Sequence, residues 1–122
     1  MLIVELPFPT PELMPNRKNG RHWGATHGAK SAAYEAGYYL TWEAAKRHTG
    51  KWHPTNGQVP VTLTFCPPDR RKRDLDNLLA ACKPVLDGVA AALLMDDREF
   101  DPVTIKRGEV RKAGAVVLEV GA

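Results

Sequence analysis

Residues 59–77 read VPVTLTFCPPDRRKRDLDN, a change from strict alternation to a basic run that ends in paired acids. Apolar residues occupy every second position from Val59 to Phe65, and proline or threonine fills the positions between them. A period of two is typical of a strand with one buried face, and Pro67 and Pro68 predict where it ends. The sequence therefore predicts a half-buried strand followed at once by a polar loop.

The segment after this loop, from Leu78 to Leu94, is apolar and has helical composition. Proline disrupts a helix interior but suits a first turn, so Pro84 leaves two alternatives: a helix that starts near Pro84, or a kinked pair of helical segments. Farther on, residues 103–105 begin a predicted strand, and alternation over residues 116–120 predicts another. Lysine, alanine and glycine at 112–114 are typical of a turn, so we predict that these two strands form a hairpin.

The chain before residue 59 adds a strand, a loop and a helix. Leu2–Leu6 is a short apolar run followed by prolines, which predicts a strand. Residues 15–30 contain glycines and bases without acids or periodicity, which predicts a long, partly mobile loop that contacts DNA if the protein binds it. From Ser31, a candidate helix cap, to about His48 the chain has helix formers and an apolar stripe that includes Tyr39.

Length and composition indicate one small domain. The 122 residues, 43% hydrophobic and 25% charged, suit a single soluble domain spanning residues 1–122. The order β–α–β–α–β–β predicts an α+β (mixed α/β) fold with two helices packed on a mixed sheet. No apolar stretch approaches the roughly 20 residues of a membrane span, and the first residues carry no basic segment typical of a signal peptide. We therefore expect a cytoplasmic protein with no membrane partner and with Cys66 and Cys82 reduced.

The charges are unevenly distributed, although the formal net charge is only +3. Residues 13–68 contain seven lysines or arginines against two acids, whereas residues 69–101 contain eight acids against six bases. A basic surface attracts polyanions such as nucleic acid. Acids embedded in it would repel phosphate unless a cation lay between them.

Two acidic clusters stand out from this basic background: Asp69, Asp74 and Asp76, and then Asp96, Asp97, Glu99 and Asp101. Asp74 and Asp76 are two residues apart, a spacing that in extended chain points both carboxylates to the same side. Asp96 and Asp97 follow the predicted helix, whose return could bring one of them beside the first pair. Three carboxylates converging in a basic groove suit Mg²⁺, which prefers oxygen ligands and binds substrate phosphate.

Ordinary structural roles stay open for the same acids. Asp76 or Asn77 is a good N-cap for the following helix, and Asp74 could pair with an arginine of the basic run. Asp96 and Asp97 could form a polar turn between helix and strand. The spacing of two aspartates alone does not decide between these roles and a metal site.

The combination of motifs is more specific than any one of them. The basic lead-in PPDRRKR, the sequence DLDN at 74–77, the helix KPVLDG at 83–88 and the following DD resemble the RusA family of Holliday-junction resolvases. The opening strand that ends in Leu-Pro-Phe-Pro, followed by a loop with Asn and Arg, is also similar. The resemblance spans nearly the whole chain and is densest from Pro67 to Phe100.

The resemblance implies a role for individual residues. Asp74, Asp76 and Asp97 match the three metal-binding acids of the family. Lys83 matches its helix lysine, although in the best-known members that lysine stands three residues after the asparagine, where this chain has Ala80. Relative to those members, residues 80–82 are an insertion of three residues. On a continuous helix three residues are close to one turn, which would keep Lys83 on about the same face.

We therefore expect a Mg²⁺-dependent endonuclease, with Mn²⁺ as a possible substitute, that cuts four-way or related branched DNA in recombination and repair. The resemblance also implies a homodimer, which would place one active site on each of two equivalent strands. Lys83 would stabilise charge on the phosphate. The alternatives are a non-catalytic module for branched DNA and a small RNA-binding protein. The expected DNA-contacting bases are Arg17, Lys18, Arg21, Lys30, Arg70, Arg71, Lys72 and Arg73.

Overall fold

A computed structural model describes residues 1–15, 23–48 and 57–121 of the chain. These ranges contain strands β1 to β4, helices α1 to α3 and two single turns of 3-10 helix, at Pro11–Leu13 and Asp97–Glu99. The elements follow one another as β1 (Leu2–Leu6), α1 (Trp23–Arg47), β2 (Val59–Cys66), α2 (Leu75–Ala81), α3 (Lys83–Ala92), β3 (Phe100–Arg107) and β4 (Ala115–Val120). The fold is α+β, as predicted.

The strands form one mixed sheet in the order β1-β4-β2-β3. β4 is antiparallel to both β1 and β2, and β2 is parallel to β3. The register places Val4 beside Leu118 and Leu118 beside Leu63, so that the buried face of three strands forms continuous apolar rows. Helices α2 and α3 connect the parallel strands β2 and β3, as a parallel connection requires.

The helices cover the apolar face of this sheet. Leu78 of α2 and Val85 and Val89 of α3 belong to the same buried cluster as the sheet residues. Both alternatives left open by Pro84 describe part of the structure, because α2 ends before Cys82 and the longer helix α3 begins beside Pro84, at Lys83. Pro84 is the second residue of α3, a position where its missing N–H costs no hydrogen bond.

The predicted hairpin of β3 and β4 is wrong. Residues 111–114 do form a turn, closed by a 2.8 Å hydrogen bond from Gly114 N to Arg111 O, but β2 lies between the two strands. β3 pairs with one side of β2 and forms an edge of the sheet. β4 pairs with the other side of β2. The side chains give the reason: β4 buries Val116, Leu118 and Val120 and suits the sheet interior, whereas β3 is largely exposed.

Helix α1 begins earlier than the sequence predicts. It starts at Trp23, so Ser31 lies inside the helix rather than at its cap, and residues 23–30 are helical rather than loop. Residues 16–22 of the predicted loop lie outside the described residues. The contact of α1 with α3 explains the difference, because tertiary packing of a helix outweighs weak local propensity. The predicted apolar stripe is also displaced, since Tyr39 is exposed and Thr41 is buried.

Helices α1 and α3 approach each other closely through two glycines. A Cβ built on Gly37 would lie 2.1 Å from the backbone oxygen of Val85, and one built on Gly88 would lie 2.1 Å from the backbone oxygen of Tyr34. No side chain fits at either position without moving a backbone. The two helix backbones are therefore in direct contact at this crossing.

Both cysteines are free and buried. Burial raises the pKa of the Cys82 thiol to about 12, so this side chain stays protonated at neutral pH. Among the described residues, no helix combines the length and the apolar character needed to cross a membrane.

Candidate active site

The DLDN motif straddles the start of helix α2. Asp74 is the residue before the helix and has extended backbone angles, yet its carboxylate accepts no capping hydrogen bond. Asp76 lies in the first turn, and both aspartates are exposed. The alternative that Asp76 or Asn77 caps the helix is wrong, because the helix begins before them at Leu75. The Asp74 carboxylate is thus not used for capping, and both aspartates are open to solvent.

The basic run at residues 70–73 is folded around an acid that precedes it. Asp69 accepts from Arg73 Nη1 at 2.9 Å and from Arg71 Nη2 at 3.2 Å. These hydrogen bonds, from Arg73 first and then Arg71, hold the pKa of Asp69 well below its ordinary value. The open alternative that Asp74 pairs with one of these arginines is not what the structure shows, since Asp69 takes that place.

Arg73 differs from the other predicted DNA-contacting residues of the run. Its side chain is only 16% exposed, and its guanidinium carbon lies 5.4 Å from the centre of the Phe8 ring. Arg107 at the end of β3 donates from Nη1 to the backbone oxygen of Arg73 at 2.7 Å. Arg73 therefore anchors the loop, whereas Arg70, Arg71 and Lys72 are exposed.

Lys83 joins two carboxylates that are distant in sequence. Its Nζ donates to Asp87 Oδ1 at 2.8 Å and also to Asp97 Oδ2. These two hydrogen bonds, that to Asp87 first, raise the pKa of Lys83 above its ordinary value. The bond from Lys83 in turn holds the pKa of Asp97 below its ordinary value. The first residue of α3 and the 3-10 turn before β3 thus meet through one ammonium group.

The two aspartates of the Asp-Asp pair have different surroundings. Asp96 precedes the 3-10 turn and accepts from the backbone N of Arg98 at 3.1 Å, which is the structural role left open for this pair. Asp97 instead faces Lys83. Only the second aspartate is therefore directed at the helix lysine.

The carboxylates suit a hard divalent cation in their chemistry but are not gathered into one site. Asp97 holds a cationic group, the Lys83 ammonium, so its position accepts positive charge. Within residues 1–15, 23–48 and 57–121, however, no three acidic, histidine or cysteine side chains come together as a group that could hold a metal ion. Asp74 and Asp76 thus do not complete such a group with Asp97 in this conformation.

A cleft of about 540 Å³ opens beside Lys83. Helix α1 contributes Lys30 and Tyr34 to its walls, and the facing side contributes Ala80, Lys83 and Asp87. Ala80 of α2 and Lys83 of α3 line the same cleft, although the helix is interrupted between them at Cys82. The cleft thus combines two lysines with a carboxylate and is open to a ligand.

The structure describes only part of the predicted DNA-contacting set. Arg17, Lys18 and Arg21 lie outside the described residues. Lys30 is exposed on α1 beside the cleft.

Two residues of this region were given no role in the sequence analysis. Asp87 entered it only as part of the helix KPVLDG, although it stands four residues after Lys83, a spacing that pairs side chains on a helix and that could have indicated the contact. Arg107 carries no comparable signal, because its bond to the Arg73 backbone depends on the pairing of β2 with β3.

Comparison with known proteins adds an independent line of support. A family model described as endodeoxyribonuclease RusA matches residues 7–120. An uncharacterized protein of Xylella fastidiosa is 36% identical over 120 residues, which are 98% of this chain and 76% of that protein. The crossover junction endodeoxyribonuclease RusA of Aquifex aeolicus is 30% identical over 76 residues, which are 62% of this chain and 58% of that protein. The chain belongs to the RusA family of endodeoxyribonucleases.

Proposed function

We propose that this protein is a divalent-metal-dependent endonuclease that cuts four-way or related branched DNA by hydrolysing phosphodiester bonds. The observation that carries the proposal is the contact of Lys83 with Asp97 across 14 residues of sequence, at the edge of an open cleft. Family membership supplies the reaction class. The name of the Aquifex aeolicus relative, a crossover junction endodeoxyribonuclease, supports branched DNA as the substrate.

The chain's own groups have separate tasks in this proposal. The Lys83 ammonium donates to a phosphate oxygen and stabilises the negative charge that develops there. Asp74, Asp76 and Asp97 are the proposed metal ligands. A bound Mg²⁺ or Mn²⁺ would polarise the phosphate and lower the pKa of a bound water. In the structure the three aspartates do not form one group, so binding of a single ion by all three requires them to move closer together.

The basic side chains near this region are proposed to hold the DNA backbone. Arg70, Arg71 and Lys72 are exposed in the loop that leads to Asp74, and Lys30 lies on the opposite wall of the Lys83 cleft. The predicted contacts of Arg17, Lys18 and Arg21 remain part of the proposal. Contacts with DNA phosphates position the DNA but do not depend on its base sequence.

A homodimer is proposed because a four-way junction has two equivalent strands to cut. Two-fold symmetry would give each of these strands its own active site. Helix α1 exposes Tyr39 and Trp42 away from the cleft, which supports a role for this helix in contacts with another molecule. We further propose that the protein acts in the cytoplasm, in DNA recombination or repair.

The test is cleavage of a synthetic four-way junction by the full chain, with a linear duplex of the same sequence as control. We expect cuts in two opposing strands of the junction with Mg²⁺ or Mn²⁺, none when the metal is chelated, and little cutting of the duplex. Tight binding without cutting at any divalent ion would instead establish the alternative, a non-catalytic module for branched DNA.

Binding to the junction is expected to depend steeply on salt. If about five bases of each subunit contact phosphates, the slope of log K against log salt should be steeper than about −4 per subunit, at ~0.9 per contact. Fluorescence anisotropy without divalent ions measures this slope. Replacing the exposed Lys72 with glutamine should reduce its magnitude by about one.

Lys46→Gln is the matched control for this measurement. Lys46 is exposed near the other end of α1, sixteen residues and roughly 24 Å along the helix from Lys30, and its ammonium lies over the Trp42 ring. We expect this variant to keep the slope of the unmodified protein. A nearly flat salt dependence of the unmodified protein would mean that the basic clusters do not contact DNA.

A further inference from the structure

Helix stability does not explain the ion pair between Lys83 and Asp87. Lys83 is the first residue of α3, where the positive end of the helix dipole disfavours a cation. A lysine that precedes its acidic partner by four residues is also in the less favourable of the two orders. The side chains of Lys83 and Asp87 are 60% and 39% exposed, so water screens their attraction. The pair therefore contributes little to the fold.

The same ammonium also contacts Asp97. An ammonium group has three donors, so Lys83 Nζ can serve two carboxylates at once. Asp87 accepts at 2.8 Å, and Asp97 accepts through Oδ2. Asp87 borders both the cleft beside Lys83 and a smaller cavity of about 220 Å³ that Asp96 and Asp97 line. Asp87 is thus situated between the lysine and the second acidic cluster.

This arrangement conflicts with metal binding at Asp97. The Oδ2 oxygen is already bonded to an ammonium, and a divalent cation at the same carboxylate would be repelled by that charge. A divalent cation that binds Oδ2 displaces Lys83 from that oxygen, and one that binds Oδ1 is weakened by the ammonium charge beside it. Asp87 is the one described carboxylate besides Asp97 that forms an ion pair with Lys83.

We propose that Asp87 is a positioning residue: it retains the Lys83 ammonium when Asp97 exchanges its ion pair for a divalent cation. The inference rests on the proposed function, because it takes Asp97 as a metal ligand. In the metal-free protein Lys83 neutralises Asp97. In the active protein Asp87 alone holds Lys83, directed at the cleft where the phosphate would lie.

The test is a double-mutant cycle on Mn²⁺ binding to the full chain without DNA. The loss of the free Mn²⁺ signal in electron paramagnetic resonance gives the affinity, and Asp97→Asn identifies the site that depends on Asp97. We expect Lys83→Met to tighten that site about tenfold, because it removes the competing charge. Asp87→Asn should weaken it about tenfold when Lys83 is present and less than about threefold in the Lys83→Met background.

Two further variants separate position from charge. Asp87→Glu keeps a carboxylate four residues after Lys83 and should restore the affinity to within about threefold of the unmodified protein. Asp101→Asn is the control, because it removes a carboxylate outside the site. Asp101 accepts a 2.9 Å hydrogen bond from Gln58 Nε2, and its replacement should leave the Mn²⁺ affinity unchanged.

Two results would overturn the proposal. Equal losses with and without Lys83 would mean that Asp87 acts on the ion directly, and an unchanged affinity in Asp87→Asn would mean that it has no role in the exchange. Junction cleavage by the unmodified protein is measured separately. Failure to cut would contradict the proposed function, whereas the titration without DNA would still decide the role of Asp87.

Discussion

Asp76→Asn is expected to abolish cleavage of a four-way junction while leaving its binding intact or tighter. Asparagine keeps the shape of the side chain but removes the charge with which a carboxylate binds a divalent cation. Asp76 is exposed in the first turn of α2, so the exchange should not disturb packing. One fewer negative charge near the phosphate also eases the approach of DNA. Cleavage and gel-shift assays on one preparation measure both effects.

Glu43→Gln provides the matched control for this variant. It removes one exposed carboxylate near the C-terminal end of α1, where Glu43 forms a weak ion pair with Arg47 at 3.9 Å. The control should cut the junction at the rate of the unmodified protein. If Asp76→Asn also cuts at that rate, Asp76 is not part of the active site. A loss of both binding and folding would assign Asp76 a structural role, which melting curves of both variants would reveal.

Lys83→Ala is expected to reduce the cleavage rate by on the order of 10²-fold, the effect of losing one preorganised stabiliser of developing charge. Ala80, which lines the same cleft, cannot replace the lost ammonium. The rate should fall even though Asp97 is released to bind metal. Arginine at position 83 should restore only part of the rate, because its planar fork differs from a compact ammonium. Single-turnover assays at saturating DNA and metal measure the chemical step.

Arg98 offers the sharpest comparison with Lys83. It neighbours Asp97 in sequence and is 85% exposed, with its Nε 3.5 Å from Asp96 Oδ2, so its guanidinium can turn toward a substrate. If Lys83→Ala cuts normally and Arg98→Ala is inactive, the arginine takes the role assigned to the lysine. Arg73→Ala is less informative, because Arg73 is mostly buried and its loss would disturb the loop. Lys46→Ala serves as the control with an exposed lysine elsewhere.

Sequence periodicity was sufficient to predict β2 and β4, and an apolar run ended by prolines predicted β1. Alternation in Val59–Phe65 corresponds to alternating burial in the structure, because a strand with one covered face buries every second side chain. Burial also alternates in Leu2–Leu6, although its sequence is a continuous apolar run up to Glu5. Strand order was not predictable in the same way. The turn at residues 112–114 exists, but a local turn does not specify which strands it joins, and the parallel connection placed β2 between them.

The limits of prediction at the site have a similar cause. The acids and Lys83 were identified from local motifs, whereas the contact between Lys83 and Asp97 depends on how α3 meets the turn before β3. Asp69 was grouped with the other acids, yet in the structure its carboxylate forms ion pairs with two arginines of the basic run. Local sequence thus indicates which charges are present, and the fold determines which of them neutralise each other.

The direct contact of helix backbones at Gly37 and Gly88 also sets the dimensions of the cleft. Its two walls belong to α1 and to the α2–α3 pair, and the crossing lies next to Tyr34, a wall residue. Because no side chain separates the helices there, a change of rotamer at the crossing cannot alter the distance between the two backbones. A substitution on the outer surface of α1, such as one at Trp42, should therefore leave the spacing of the two cleft walls unchanged, even where it weakens a contact with another molecule.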